Sequence, residues 1–138
     1  MLDKNDVKQK NMLSLAYLGD AVYESLVREY LMENSSNTPA ALHQITTTIV
    51  CAKGQSEALS LIVDILTNEE LEIVRRGRNS SKAAVPRNTS PKFYRSATAL
   101  EALFGYLDMT NSDERIKQLF QVICEGQIYA LLKNDNSN

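Results

Sequence analysis

Apolar residues recur at helical spacing along almost the whole chain, and no alternating apolar–polar strand pattern is present. From about Asn11 to Glu33 they are dense enough to predict one long helix, apolar on nearly every side. Asn34-Ser35-Ser36-Asn37 breaks it, and Thr38-Pro39 offers a capping hydroxyl followed by a helix-starting proline. Leu42, Ile45, Ile49, Ala52, Leu59, Ile62, Val63 and Leu66 carry helical spacing onward, with a bend expected at Gly54. Thr67-Asn68-Glu69-Glu70 caps a helix that takes Leu71, Ile73 and Val74 into an arginine cluster. Asn79 to Lys92 lacks periodicity and is expected to be a functional loop of about 14 residues. A helix from about Phe93 to Met109 follows, and Thr110-Asn111-Ser112-Asp113 caps a last one through about Leu132. The prediction is an all-α protein: a polar lead-in over 1–10, one domain over 11–132 and a polar tail over 133–138.

Composition adds exclusions. Hydrophobic residues at 43% and charged ones at 23% suit a soluble globular domain. No apolar run reaches the roughly 20 residues that span a bilayer, and the first residues lack a signal-peptide pattern. A cytoplasmic protein with no membrane role is expected. Cys51 and Cys124 share no metal-type spacing, and one histidine, His43, leaves zinc and haem almost without ligands. Charge is unevenly spread. Arg75, Arg76, Arg78, Lys82, Arg87, Lys92 and Arg95 give +7 within residues 75–95, where no acid stands, so the rest carries −9 of the net −2. A basic strip lies on an acidic body.

Two acids stand out against apolar surroundings. Asp20 lies in Ala16-Tyr17-Leu18-Gly19-Asp20-Ala21-Val22-Tyr23-Glu24, and Glu101 is the lone charge in Ala97-Thr98-Ala99-Leu100-Glu101-Ala102-Leu103-Phe104-Gly105. An isolated buried carboxylate costs several kcal/mol unless it finds a proton, a partner or a metal. Glycine inside a helix costs about 1 kcal/mol relative to alanine, so Gly19 and Gly105 mark close helix approaches. The two helices are expected to cross there and bring Asp20 and Glu101 together, as oxygen ligands for Mg²⁺ or Mn²⁺. Hydrogen bonds from Tyr17, Tyr23 or Thr98 are the alternative means of making the acids tolerable.

Leu18-Gly19-Asp20-Ala21-Val22 resembles the signature helix of ribonuclease III, and Leu100-Glu101-Ala102-Leu103-Phe104-Gly105 resembles its second catalytic helix. Arg76-Gly77-Arg78-Asn79, Pro86-Arg87-Asn88-Thr89 and Tyr94-Arg95 extend the likeness to the Mini-III branch, which has the catalytic domain alone. The resemblance covers about residues 11 to 130. It implies a homodimeric helical endonuclease that cuts double-stranded RNA with Mg²⁺ and matures precursor large-subunit ribosomal RNA. Whether a ribosomal protein assists stays open. Asp20 and Glu101 are the carried-over catalytic and metal-binding residues. Ala16 and Thr98 stand where the full ribonuclease III pattern has two more acids, a reduction the Mini-III branch shares.

The implied chemistry is in-line attack of water on phosphorus, activated by the ion that Asp20 and Glu101 hold. Arg78, Asn79, Lys82, Arg87 and Arg95 are the expected RNA contacts, reading the phosphates and shape of a duplex. Arg75 and Arg76 serve equally well as end-of-helix cations. Glu24 could position a water but suits a solvent-facing role better. Lys53 could touch phosphate but suits a solvated helix position better, and Gln55 falls within the likeness. His43 fits a surface position, and Tyr94 fits packing better than stacking. Two rivals share the strip without needing the acids: a non-catalytic double-stranded-RNA-binding dimer and a helical docking module.

Overall fold

The computed structural model describes residues 2–82 and 85–136, and among these every regular element is helical. A short helix α1 (Lys4–Lys8) precedes the long α2 (Met12–Asn34), then α3 (Pro39–Val50) and α4 (Ala52–Ile62). A 3₁₀ turn (Val63–Ile65) leads to α5 (Asn68–Ser80), and α6 (Pro91–Met109) follows the basic loop. The last three pieces are α7 (Asp113–Ile123), a π turn (Cys124–Ile128) and α8 (Tyr129–Asn136).

The predicted starts are set by local chemistry. The Thr38 hydroxyl accepts from Ala41 N with Pro39 in the first turn. Thr67 and Glu70 close a reciprocal capping box, and Ser90 caps α6 ahead of Pro91. Three expectations need correction. The break between α3 and α4 falls at Cys51, whose backbone is extended and whose thiol accepts from Gly54 N, so the helix does not bend at Gly54. Gly54 instead lets α4 start against the α3 end, because a Cβ there would lie 2.6 Å from the Thr48 carbonyl oxygen. Asn79 and Ser80 complete α5, so the connection to α6 is residues 81–90. Ala83 and Ala84 lie outside the described residues. The last predicted helix is interrupted by the π turn, which lets Gln127 donate to the Gly54 carbonyl at 2.9 Å and tie α4 to the C-terminal region. The lead-in also contains α1, with Val7 fully buried.

α6 is the central element, and α2, α4 and α5 all pack on it. Eleven of its nineteen residues are buried, from Ser96 through Leu107 with Glu101 the one interruption. Tyr23 of α2 meets Phe104 edge-on at 5.3 Å between centroids and Phe120 at 6.0 Å, forming the aromatic centre of the core. A buried clamp closes the far end. Arg115 Nε and Nη2 donate to the Glu70 carboxylate at 2.9 and 2.8 Å, and Nη2 also reaches the Ile65 carbonyl at 2.7 Å. Burial opposes ionisation of Glu70, but the Arg115 and Thr67 hydrogen bonds hold it below the usual carboxylate range.

Where α2 and α6 cross, the two backbones touch. A Cβ on Gly19 would land on the Glu101 carbonyl oxygen and 2.8 Å from Gly105 N. A Cβ on Gly105 would land on the Leu15 carbonyl oxygen and 3.2 Å from Gly19 N. Neither neighbour can yield, since both are backbone of buried helices. Gly126 is different, because its Cβ would meet only the flexible end of Leu61. Gly19→Ala or Gly105→Ala is therefore expected to lower Tm by about 5 °C or more, through overpacking. Gly126→Ala should leave it nearly unchanged. Thermal unfolding followed by circular dichroism checks this contrast, and equal losses at all three sites would refute the crossing as the tight point.

Candidate active site

The glycine crossing places Asp20, which follows Gly19 on α2, against Glu101, one turn before Gly105 on α6. The two carboxyl groups are close enough for each to act on the other's ionisation. Burial first, then the charge of the neighbouring Asp20 carboxylate, push the Glu101 carboxyl up to about 8. Among the described residues no lysine or arginine lies within ion-pair reach of either acid, and no third acid, histidine or cysteine joins them as a cluster.

Asp20 departs from the expectation of a buried acid. It is solvent-exposed, and Glu101 is half-buried behind it. The signature helix has apolar residues on nearly every side because one face remains open, with Tyr17 85% exposed and Met32 68% exposed. None of the alternative hydroxyl partners is used. Tyr17 points to solvent, the fully buried Tyr23 hydroxyl has no partner, and the Thr98 hydroxyl donates to the Tyr94 carbonyl of its own helix at 3.0 Å. Ala16 and Thr98 are both buried and bring no charge to the pair.

Glu24 lies one turn beyond Asp20 on the same open groove, together with Ser25, Arg28 and Glu29. Its carboxylate pairs with Arg28 at 2.8 Å. The strip divides in two. Arg78, Asn79, Lys82 and Arg87 are exposed, and Arg95 is half-buried with Nε donating to the Pro91 carbonyl at 3.3 Å. Arg75 is committed to Glu72, and Arg76 donates to the Lys8 carbonyl at 2.7 Å. The Arg76 contact was invisible in the sequence, which carries no local signal for a partner so distant. Lys53 and His43 are exposed, Gln55 is buried, and Tyr94 is half-buried.

An all-helical domain crossed at paired glycines, with an aspartate and a glutamate meeting at the crossing, defines the class. The family model described as "Ribonuclease III domain" matches residues 13–112. Mini-ribonuclease 3 of Clostridium tetani is 39% identical over 121 residues, covering 87% of this chain and 80% of the relative. That of Enterococcus faecalis is 40% identical over 116 residues, covering 83% and 88%. The crystal structure of a Fusobacterium nucleatum protein matches with a TM-score of 0.79 at 30% identity, covering 88% of this chain and 98% of that one. The chain belongs to the Mini-ribonuclease 3 branch of the ribonuclease III family.

Glu101 makes stability depend on pH in the metal-free protein. The unfolded chain ionises this group at its ordinary value of 4.5, the folded chain at about 8. Between those values only the folded state holds the proton, so stability falls as pH rises through that window. Glu101→Gln is expected to flatten this part of the Tm–pH profile, measured in a chelator. A wild-type profile that rises from pH 5 to 8 would contradict the assignment.

Proposed function

We propose that this protein is an endoribonuclease that cuts double-stranded RNA with Mg²⁺, or Mn²⁺ in its place, leaving 5′-phosphate and 3′-hydroxyl ends. The observation that carries this is the Asp20–Glu101 pair, two facing carboxyl groups with no cationic side chain between them. Their chemistry fits a hard divalent ion, because oxygen donors suit it and its charge offsets both the burial of Glu101 and its repulsion by Asp20. Bound there, such an ion supplies Lewis-acid activation of water and neutralises charge that develops on the phosphate.

The chain's own groups do the rest. Asp20, exposed on the open face, reaches toward substrate, and Glu101 behind it fixes the second oxygen position. Arg78, Asn79, Lys82 and Arg87, with Arg95 at the far end of the loop, hold the phosphates of the duplex. Glu24, neutralised by Arg28, stays outside the pair. The open α2 face supports a homodimer, since Leu13, Tyr17 and Met32 leave apolar surface beside Asp20 that a second copy would cover.

The proposed substrate is precursor 23S ribosomal RNA, whose paired ends offer duplex geometry to an enzyme that reads shape. A cytoplasmic location accords with that substrate, and no helix among the described residues is long and apolar enough to cross a membrane. A ribosomal protein bound near the cut ends fits the same scheme as a helper.

Incubation of duplex RNA with the protein is expected to give cleavage with Mg²⁺ and none with EDTA. Asp20→Asn and Glu101→Gln should each lower kcat by on the order of a hundredfold to a thousandfold while duplex binding survives. Cutting that persists in EDTA would overturn the mechanism, and binding without any cutting would favour the non-catalytic dimer. Separately, Lys82→Ala with Arg87→Ala should weaken binding and reduce the salt slope by about two. Unchanged affinity at physiological salt would remove the loop from the account.

A further inference from the structure

One member of the basic strip is turned away from the others. Arg75, Arg78, Asn79 and Lys82 recur three or four residues apart and face solvent. Arg76 falls off that stripe, is half-buried, and sends Nη1 to the Lys8 carbonyl at 2.7 Å. Lys8 is the last residue of α1, where carbonyls lack intrahelical partners and the helix dipole favours a cation. The Lys8 ammonium returns to Glu69 in the first turn of α5 at 3.2 Å. Val7, beside it, is fully buried in the core, where α1 also meets α6. An Asp3–Asp6 capping box closes the other end of α1.

α1 therefore grips α5 at Glu69 and Arg76, about two turns apart. The second grip directly precedes Gly77, which seats α5 on Ala99 and Ala102 of α6. That seat is made of small groups with few dispersion contacts. It also flanks Glu101, so any tilt of the α5 end moves the exposed cations relative to the carboxylate pair.

We propose that α1 is a brace for the RNA-contacting end of α5, and that Arg76 is a positioning residue that does not touch RNA. This rests on reading Arg78, Lys82 and Arg87 as RNA contacts. Lysine or arginine in direct phosphate contact would need its charge free. Arg76 is committed to α1, and α1 in turn to the core. A five-residue helix does not persist alone, so the docking contacts hold it in place. The carboxylate pair is formed by α2 and α6 and does not depend on the brace.

The test uses full-length Arg76→Ala, Val7→Ala and the double variant, with Lys82→Ala/Arg87→Ala as control. Duplex-RNA affinity, KM, kcat and amide hydrogen exchange of α2, α5 and α6 are measured below the melting range of all four. Each single variant is expected to weaken binding and raise KM about threefold to tenfold, the span of coupling through a packed network. Expected alongside are an unchanged kcat, faster exchange confined to the α5 end, and a double variant no worse than the poorer single. Three results overturn the brace: wild-type binding by both singles while the control loses affinity, tighter binding by Val7→Ala beside weaker binding by Arg76→Ala, or faster exchange throughout α2 and α6. A control that binds like wild type instead refutes the RNA-contact reading. In that case the exchange pattern alone decides whether α1 braces α5.

Discussion

Backbone contact between α2 and α6 is the constraint on which this structure depends. Gly19 and Gly105 remove the two Cβ atoms that would hold the helices apart, at a propensity cost of about 1 kcal/mol each. The approach they allow brings Asp20 close enough for its charge to act on Glu101. With ordinary side chains at the crossing the acids would sit farther apart, and the pair could not close on one ion. The energetic cost of the site is visible in Glu101, which burial and its neighbour keep protonated to about 8. Such a group disfavours the folded state until a cation compensates it, as expected of a functional position.

The rest of the fold isolates this pair from the remaining charges. Buried Glu70 has Arg115, and Glu24, one turn beyond Asp20 on the groove, has Arg28, so each is neutralised locally. Asp20 and Glu101 are left without a cation among the described residues. Arg78, Lys82 and Arg87 remain exposed, on the last turn of α5 and in the connection to α6. Uncompensated acids and exposed cations within one domain suit an ion and a polyanion respectively.

Much of this was legible in the sequence because it is local or marked by glycine. The caps at Thr38 and Thr67 fixed two helix starts, and the glycine beside each acid pointed to the crossing. The exposure of Asp20 is not legible, since apolar density on α2 does not tell a core face from an open one. Tyr17 illustrates this, being apolar by type and almost fully exposed. Glycine in a helical pattern suggests a bend, yet Gly54 permits contact between helix ends and the break falls at Cys51. The π turn and the Arg76–Lys8 tie depend on partners distant in the chain, for which periodicity carries no signal.

The central claim is that the crossing builds a divalent-cation site from Asp20 and Glu101. Calorimetric titration with Mn²⁺ in two buffers of different ionisation enthalpy tests it directly, at a pH below the Glu101 midpoint of about 8. Because the ion must displace the Glu101 proton, binding should release close to one proton per chain, roughly one-for-one with the ion. That release should vanish in Glu101→Gln, and affinity should drop sharply in Asp20→Asn. Binding with no proton release, or binding that both substitutions leave intact, would contradict the account.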